Sequence, residues 1–434
     1  MKLLNRLDNF IGKYQAVKVF LLIFIFLQPF SHYSAVRNGA FILMALTFLI
    51  RFMRGGFRVN LIDTTVISFG LIITASVISS ALSPYAVESF TAMRKNLLYQ
   101  AFVFIVVIYE YKGIDGLKPL IYALLAGFAA LTALILIKTP SQALLHWLDN
   151  AGNGNGGNEL LKGYSLFATF YIPLAIGYLY SSREGLIVKI PIAVFLFLEF
   201  VLSMLNNHRG QIIAIVASAV MITVLAKRFK ILIIGLLIAV LSSAYIYSAN
   251  PASFDRYRTL LTFSNYVSDS PEGLNERLSI WNGAVEMIKD RPVIGYGYGW
   301  KKFSRVAREQ YMDKWDKDGG TYRYFSEHGY GGANPHNLIL QVLFEVGIIG
   351  LMAFLLFWIT VSLKAMSMYF GKFRGEATDF LKYGVVGVLI SYSLINIANG
   401  LWEEAYGILI VAFSAVAAVL YREVKEARFR RAVD

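Results

Sequence analysis

A chain of 434 residues that is 57% hydrophobic and 16% charged, with a mean hydropathy of +0.55, cannot hide its apolar surface from water by folding alone; the bilayer must be its solvent. No cysteine occurs, which excludes a disulfide framework, a thiol nucleophile and a thiolate metal site. The formal charge of +13 would suit a nucleic-acid binder, but the placement of that charge along the chain argues against one.

Met1–Gln15 is basic and polar, and the apolar run that follows lacks a small-residue cleavage site, so it reads as a retained anchor. Apolar runs of spanning or near-spanning length then recur at roughly 16–31, 36–53, 61–82, 96–111, 117–138 and 161–181. They continue at roughly 186–206, 211–226, 229–248, 337–363, 382–400 and 404–421. A crossing helix needs about 20 such residues. The expected fold is an all-α polytopic membrane protein of about twelve transmembrane helices, with both termini on one side. Residues 1–248 carry nine spans, 249–335 form one large loop, and 336–434 carry three spans and a basic tail.

The positive-inside rule orients this map. With the N-terminus cytoplasmic, the inner segments hold 23 of the 41 Lys and Arg residues, and the short outer loops hold six: Arg37, Arg94, Lys95, Lys138, Lys162 and Arg209. The remaining twelve lie in the large loop beside eleven acidic residues, which makes it nearly neutral. Much of the positive charge therefore sets topology, and nucleic acid is not the expected partner. All five histidines (His32, His146, His208, His328 and His336) fall in outer loops on this map. Every proton carrier that works near neutrality stands on one face.

The 139–160 segment contains Gly152-Asn153-Gly154-Asn155-Gly156-Gly157, a linker-like stretch, and no internal repeat of the kind an inverted-repeat transporter carries is visible. The large loop is too long for a connector, and Trp281, Trp300, Trp315 and its tyrosines supply material for a core. Its centre predicts an amphipathic helix from about Asn275 to Asp290, with Leu278, Trp281, Val285 and Ile288 along one stripe. With Asn275 as N-cap, Arg277 stands in the first turn, where backbone N–H groups and a guanidinium make a natural anion site. After Arg291-Pro292, the alternation Gly295-Tyr296-Gly297-Tyr298-Gly299 lacks a following P-loop lysine, which favours an ordinary turn over a phosphate cradle. The loop ends at Asn334-Pro335-His336-Asn337. Asn as N-cap and Pro as first helical residue predict His336 in the first turn of a long apolar helix, within the positive end of its dipole. That is where the chemistry is expected.

Three places match one family. His336-Asn337, nine intervening residues and Gly347-x-x-Gly350 resembles the motif that closes the periplasmic loop of bacterial O-antigen ligases. Arg277-Leu278-Ser279-Ile280-Trp281 followed by Arg291-Pro292-x-x-Gly295-x-Gly297 is similar to that family's periplasmic helix and turn, and Arg209-Gly210 matches its arginine between spans seven and eight. Ile213 stands where the family usually has leucine, and Asn206-Asn207-His208 where it often has Ser or Thr. The motifs cover about residues 200 to 350.

The resemblance implies a GT-C-like glycosyltransferase of inverting type in the bacterial inner membrane, with its active site facing the periplasm and no metal or other cofactor. Its donor would be a glycan on undecaprenyl pyrophosphate. Its acceptor would be a sugar of lipid A-core, or another lipid-linked repeat unit in the related polymerases. In such a reaction an acceptor hydroxyl loses its proton as a diphosphate departs, so fixed guanidinium groups stabilise the transition state most. Under the resemblance His336 is the general base, Arg209 and Arg277 hold the pyrophosphate, and Asn337 orients the ring or a hydroxyl, or merely caps the helix. Arg94 and Lys95 meet the pyrophosphate or lipid headgroups, or simply anchor the interface. Glu199 and Glu345, inside apolar runs, are candidates by position, though a hydrogen-bonded structural role fits both better. Glu403 and Glu404 are candidates for a sugar hydroxyl.

Overall fold

The computed structural model describes residues 11–12, 15–54, 63–138, 164–181, 185–205, 209–249, 274–327, 333–370 and 376–433. No strand occurs among them. The helices before the large loop are α1 (Ala16–Phe26), α2 (Ser34–Met53), α3 (Thr64–Ala81), α4 (Ala86–Lys95), α5 (Leu97–Glu110), α6 (Gly113–Lys138), α7 (Tyr164–Ser181), α8 (Leu186–Leu205), α9 (Arg209–Leu225) and α10 (Phe229–Ala249). The loop contributes α11 (Leu274–Asp290), α12 (Phe303–Gln310) and α13 (Gly320–Glu327). The chain ends with α14 (Leu338–Phe370), α15 (Glu376–Ile395) and α16 (Glu404–Val433).

Each of the twelve predicted apolar runs coincides with a helix. Among the described residues, six stretches are long and apolar enough to cross a membrane: Ser31–Met53, Thr64–Ala81, Ala86–Glu110, Asp115–Lys138, Leu338–Tyr369 and Glu404–Glu426. Ala16–Phe26, Tyr164–Tyr180, Gly210–Leu225 and Leu381–Ile395 are shorter apolar helices. The protein is an all-α, multi-pass membrane protein. Its solvent shows on the outside: α10 exposes Ile233, Ile234, Leu237, Val240 and Leu241, side chains that lipid covers and water does not. At the other extreme, Ile408–Leu420 of α16 is buried throughout. It packs on α5 and α14, while α15 packs on α7 and α9, and α3 on α14.

The helix ends sort onto two faces. On one, Arg51 bonds both carboxylate oxygens of Glu110 at 2.9 and 2.8 Å, and Lys364 meets Asp63 at 2.8 Å. Glu423 accepts from the Gly113 N–H at 2.8 Å on that same face. On the other face, the α3–α5 turn, the large loop and the α15–α16 turn meet. Tyr85 donates to Glu309 at 2.8 Å, the Trp300 N–H donates to Glu403 at 3.0 Å, and Lys301 pairs with Glu404 at 3.0 Å. The described parts of these three segments, all expected outside the cell, thus share one end of the bundle. Of the five histidines only His32 and His336 fall within the described residues.

The large loop has its own core, built from Ile280, Ala284, Met287, Tyr296, Phe303, Val306, Tyr311, Trp315 and Phe325. It runs past residue 335 to take in Phe344 of α14. The predicted loop helix exists as α11, but its buried stripe is Ile280–Ala284–Met287; Leu278 and Val285, expected inside, are exposed. Both stripes have helical spacing. What chooses between them is Gly283, whose missing side chain admits the Phe325 ring, so that a Cβ there would stand 2.9 Å from it. Asn275 lies within α11 rather than capping it.

α14 is longer than a bilayer requires. Its 33 residues extend about 50 Å at 1.5 Å per residue, against a hydrocarbon core of about 30 Å. It breaks at Gly347, where φ is 64° and ψ is −165°. The first two turns, Leu338–Val346, belong to the loop layer, and the remainder enters the bundle. A side chain at Gly347 would run into the Val293 carbonyl in a backbone conformation that L residues rarely adopt. Gly347→Ala is therefore expected to destabilise the protein by about 1–3 kcal/mol or more. Thermal unfolding in detergent reads this directly, and a wild-type melting temperature would show that the break is incidental.

Candidate functional site

The chain delivers His336 through two side-chain turns. Asn334 Oδ1 accepts from the His336 N–H at 2.7 Å, which bends the backbone so that His336 has φ 46°. Asn337, not Asn334, then caps α14: its Oδ1 accepts from the N–H groups of Ile339 at 3.0 Å and Leu340 at 3.1 Å. Its Nδ2 donates to the Ile397 carbonyl at 3.0 Å, and the Leu338 N–H donates to Asn396 at 3.1 Å. His336 accordingly sits one residue before the cap, outside the helix rather than in its first turn. The reason is competition between two asparagines for the capping place, which Asn337 wins because it also reaches the α15–α16 turn.

The left-handed region is several-fold enriched in Asn, Asp and His among non-glycine residues, yet it remains a strained choice. Here the strain presents the imidazole in a half-buried position. Burial pushes its pKa down to about 4, and the charge of Arg277 adds to the effect. Burial, rather than the positive end of a helix dipole, is the main cause, and the ring is unprotonated at neutral pH. That electrostatic coupling also brings together two of the predicted residues. Arg277 occupies the first described turn of α11, half-buried and near enough to His336 to repel its proton.

The other candidates are placed as follows. Arg209 is the first residue of α9, and its side chain lies outside what the structure describes. Arg94 and Lys95 end α4 with exposed side chains, where the helix C-terminus favours cations. Lys95 lines a cavity that Arg94 does not reach. Glu199 is bonded in the bundle core by Tyr164 and by Thr132. Glu404 is exposed and paired with Lys301, whereas Glu403 is 3% exposed and belongs to a different group of residues.

That group is the junction between loop and bundle. The Tyr296 and Gly297 N–H groups each donate at 2.8 Å to the Phe344 and Glu345 carbonyls left free by the α14 break; Ile348 N–H returns a bond to the Pro292 carbonyl at 2.8 Å. Next, Tyr298 N–H donates to Ser80 at 3.2 Å, Gly299 N–H to the Glu345 carboxylate at 3.0 Å, and Trp300 N–H to Glu403. Ser79 and Ser83, from the end of α3, bond the Ile294 and Tyr296 carbonyls. The glycine alternation is thus an ordinary turn in a specific sense: the N–H groups of residues 295–300 are each taken by the protein. None is left for a phosphate. Positive φ at Gly295, Gly297 and Gly299 is what lets the segment thread this way.

Beneath the turn lies Lys302, 3% exposed, its ammonium bonded to the Gly297, Tyr298 and Gly299 carbonyls at 2.8, 2.7 and 2.8 Å. Burial pushes it down to about 8 against the pull of Glu345 and Glu403. Glu403 is held well above the usual carboxylate range by burial and by the neighbouring Glu345 charge, and it accepts from Asn96 Nδ2 at 2.7 Å. Lys302, Asn96 and the three serines lie outside the candidates that the sequence offers. Only the serines left a signal, as polar residues recurring in the last turns of an apolar span.

Fold and site define a class: a multi-pass helical membrane protein that seats a loop with its own core over one face, with a strained, unprotonated histidine at the seam. The comparisons with known proteins agree with the motifs. Residues 192–355 match the family model described as O-antigen ligase. Among curated relatives carrying the name "Putative polysaccharide ligase", the chain is 28% identical to one from Rickettsia felis over 141 residues. It is 30% identical to one from Rickettsia conorii over 142 residues and 29% identical to one from Rickettsia prowazekii over 141. Each match covers 32% of this chain and 32% of the relative, so the chain spans about a third of the length of the curated relatives it matches. Together the family model and these relatives support an O-antigen ligase family for this chain.

Removing the buried ammonium would leave three carbonyls and two carboxyl groups without their cation. Lys302→Met is expected to cost about 3–5 kcal/mol, read as a lower melting temperature and faster proteolysis of the loop. Unchanged values in both assays would show that the lysine does not hold the junction.

Proposed function

We propose that the protein is a membrane glycosyltransferase of O-antigen ligase type. It moves a glycan from undecaprenyl pyrophosphate to a hydroxyl of lipid A-core at the periplasmic face of the inner membrane, without a metal ion. His336 takes the acceptor proton as the hydroxyl oxygen attacks the anomeric carbon and the bond to the diphosphate breaks. Arg277 and Arg209 neutralise the departing diphosphate. The observation that carries this reading is the pairing of an unprotonated, strained imidazole with a guanidinium close enough to act on its charge. The motif match over residues 192–355 supports it.

A base with a pKa of about 4 is weak, and efficient proton transfer favours one near the ambient pH. A diphosphate bound on Arg277 supplies the correction: its negative charge cancels the repulsion and raises the imidazole toward neutrality. The donor thereby tunes the base that serves its own reaction. The acid limb of kcat/KM, which reports the free protein, should fall near pH 4, and that of kcat, which reports the donor complex, at higher pH. Coincident limbs would contradict donor tuning.

Purified protein reconstituted with a lipid-pyrophosphate glycan and lipid A-core should yield the joined product by mass analysis. His336→Ala should lower turnover by about 10²–10⁴-fold with insertion intact. Arg277→Ala and Arg209→Ala should weaken donor use, with Arg→Lys restoring part of it. EDTA should have no effect; inhibition reversed by magnesium would refute the metal-free mechanism. In cells, deletion should leave lipid A-core bare while lipid-linked polymer still forms. Loss of the polymer itself would make the protein a polymerase.

A further inference from the structure

On the same face as His336, across the α15–α16 turn, lies a cavity of about 550 Å³ between the Ser31–Asn38 turn, the α4–α5 junction and the start of α16. That volume suits a compact organic ligand, for which pockets run about 300–1,000 Å³. Rings fixed by other rings make its walls: Tyr99 against Phe41 with centroids 4.1 Å apart, Phe167 against Tyr406 at 4.8 Å, and Tyr164 against Phe128 at 5.2 Å. The cavity is therefore preformed.

Its polar groups are unbalanced in two ways. Arg37, Lys95 and Lys138 line it, and its one carboxylate, Glu404, is already paired with Lys301. Neither Arg37 nor Lys95 has an ion-pair or hydrogen-bond partner among the described residues; Arg37 is half-buried and feels the Glu404 charge only from beyond ion-pair distance. Cations so placed call for an anion. Gln28, 1% exposed, also lines the cavity; its Nε2 donates to the Phe24 carbonyl at 2.9 Å, while its buried Oε1 has no partner among the described residues. An orphaned acceptor calls for a donor, and a hydroxyl on a ligand that also carries a negative group supplies one without spending the charge the cations need. One ligand must bring both a negative group and a hydroxyl, and present a ring face to aromatic walls.

We propose that this cavity binds an anionic saccharide, a sugar bearing phosphate or carboxylate, with Arg37 and Lys95 on the charged group and Gln28 accepting from a hydroxyl. Within the transferase reading it is the seat of the acceptor sugar, and that assignment rests on that reading; the binding does not. The Ile397–Glu404 segment joins the two places, touching Asn337 at one end and lining the cavity at the other.

Calorimetric titration of the full-length protein in neutral detergent tests this, with glucose 6-phosphate, glucuronate, glucose and inorganic phosphate as probes. The sugar phosphate or the glucuronate should bind at least about tenfold more tightly than glucose or inorganic phosphate. Arg37→Ala and Lys95→Ala should each weaken it about tenfold, with Arg37→Lys restoring part, and Gln28→Leu should weaken the sugar phosphate without changing inorganic phosphate. Lys95 is exposed, so its variant answers even where a buried substitution disturbs folding. Equal affinity for inorganic phosphate, or unchanged binding in Lys95→Ala, would overturn the site. Equal competition by dihexanoyl phosphatidylglycerol would make the occupant a lipid headgroup and overturn the saccharide assignment. Binding as expected in a protein that transfers no glycan would refute the transferase while leaving the cavity's role intact.

Discussion

A helix broken inside a membrane protein exposes N–H and C=O groups where no water can meet them, and the rest of this structure is arranged around satisfying one such break. At Gly347 the α14 ladder opens, and the Pro292–Trp300 segment of the large loop pairs with it backbone to backbone. The serines at the end of α3 take two more carbonyls, and buried Lys302 takes three. Loop and bundle are locked through main-chain groups. This constraint needs glycine at the crossing points and tolerates few alternatives.

The break also decides how the loop layer is built. It separates Leu338–Val346 from the membrane-crossing part of α14 and turns it into a short helix of the loop layer, whose entry is capped by Asn337 against the α15–α16 turn. His336 precedes that cap in a strained conformation and meets the field of Arg277 from α11, itself held by the loop core. His336 and Arg277, the proposed base and anion-binding group, thus reside on separate elements whose relative position is set at the junction. The same α15–α16 turn carries Glu403 into the junction and Glu404 to the rim of the outer cavity.

Much of this was legible in the residues. Hydropathy located the twelve apolar helices of the described residues, because burial in lipid acts on each run independently of its neighbours. Helical spacing located α11, and the motif residues brought His336 and Arg277 to attention. The errors share a cause. Asn334 and Asn337 are both good caps, and two stripes of α11 are both apolar; local rules rank neither pair. Ile397 decided the first, and the Phe325 ring against Gly283 decided the second. Lys302 gave no local sign, since its partners are carbonyls whose direction depends on the backbone of a turn.

The class of fold, the apolar helices of the described residues and the presence of a packed loop follow from composition and period, which are properties of the chain read one segment at a time. The break in α14, the unprotonated state of His336, its meeting with Arg277 and the cavity around Arg37 arise only when distant segments share space. Hydrophobic burial is additive along a sequence. Charge and hydrogen bonding in a low-dielectric interior are not, because each group's energy is set by whichever partner the fold brings to it.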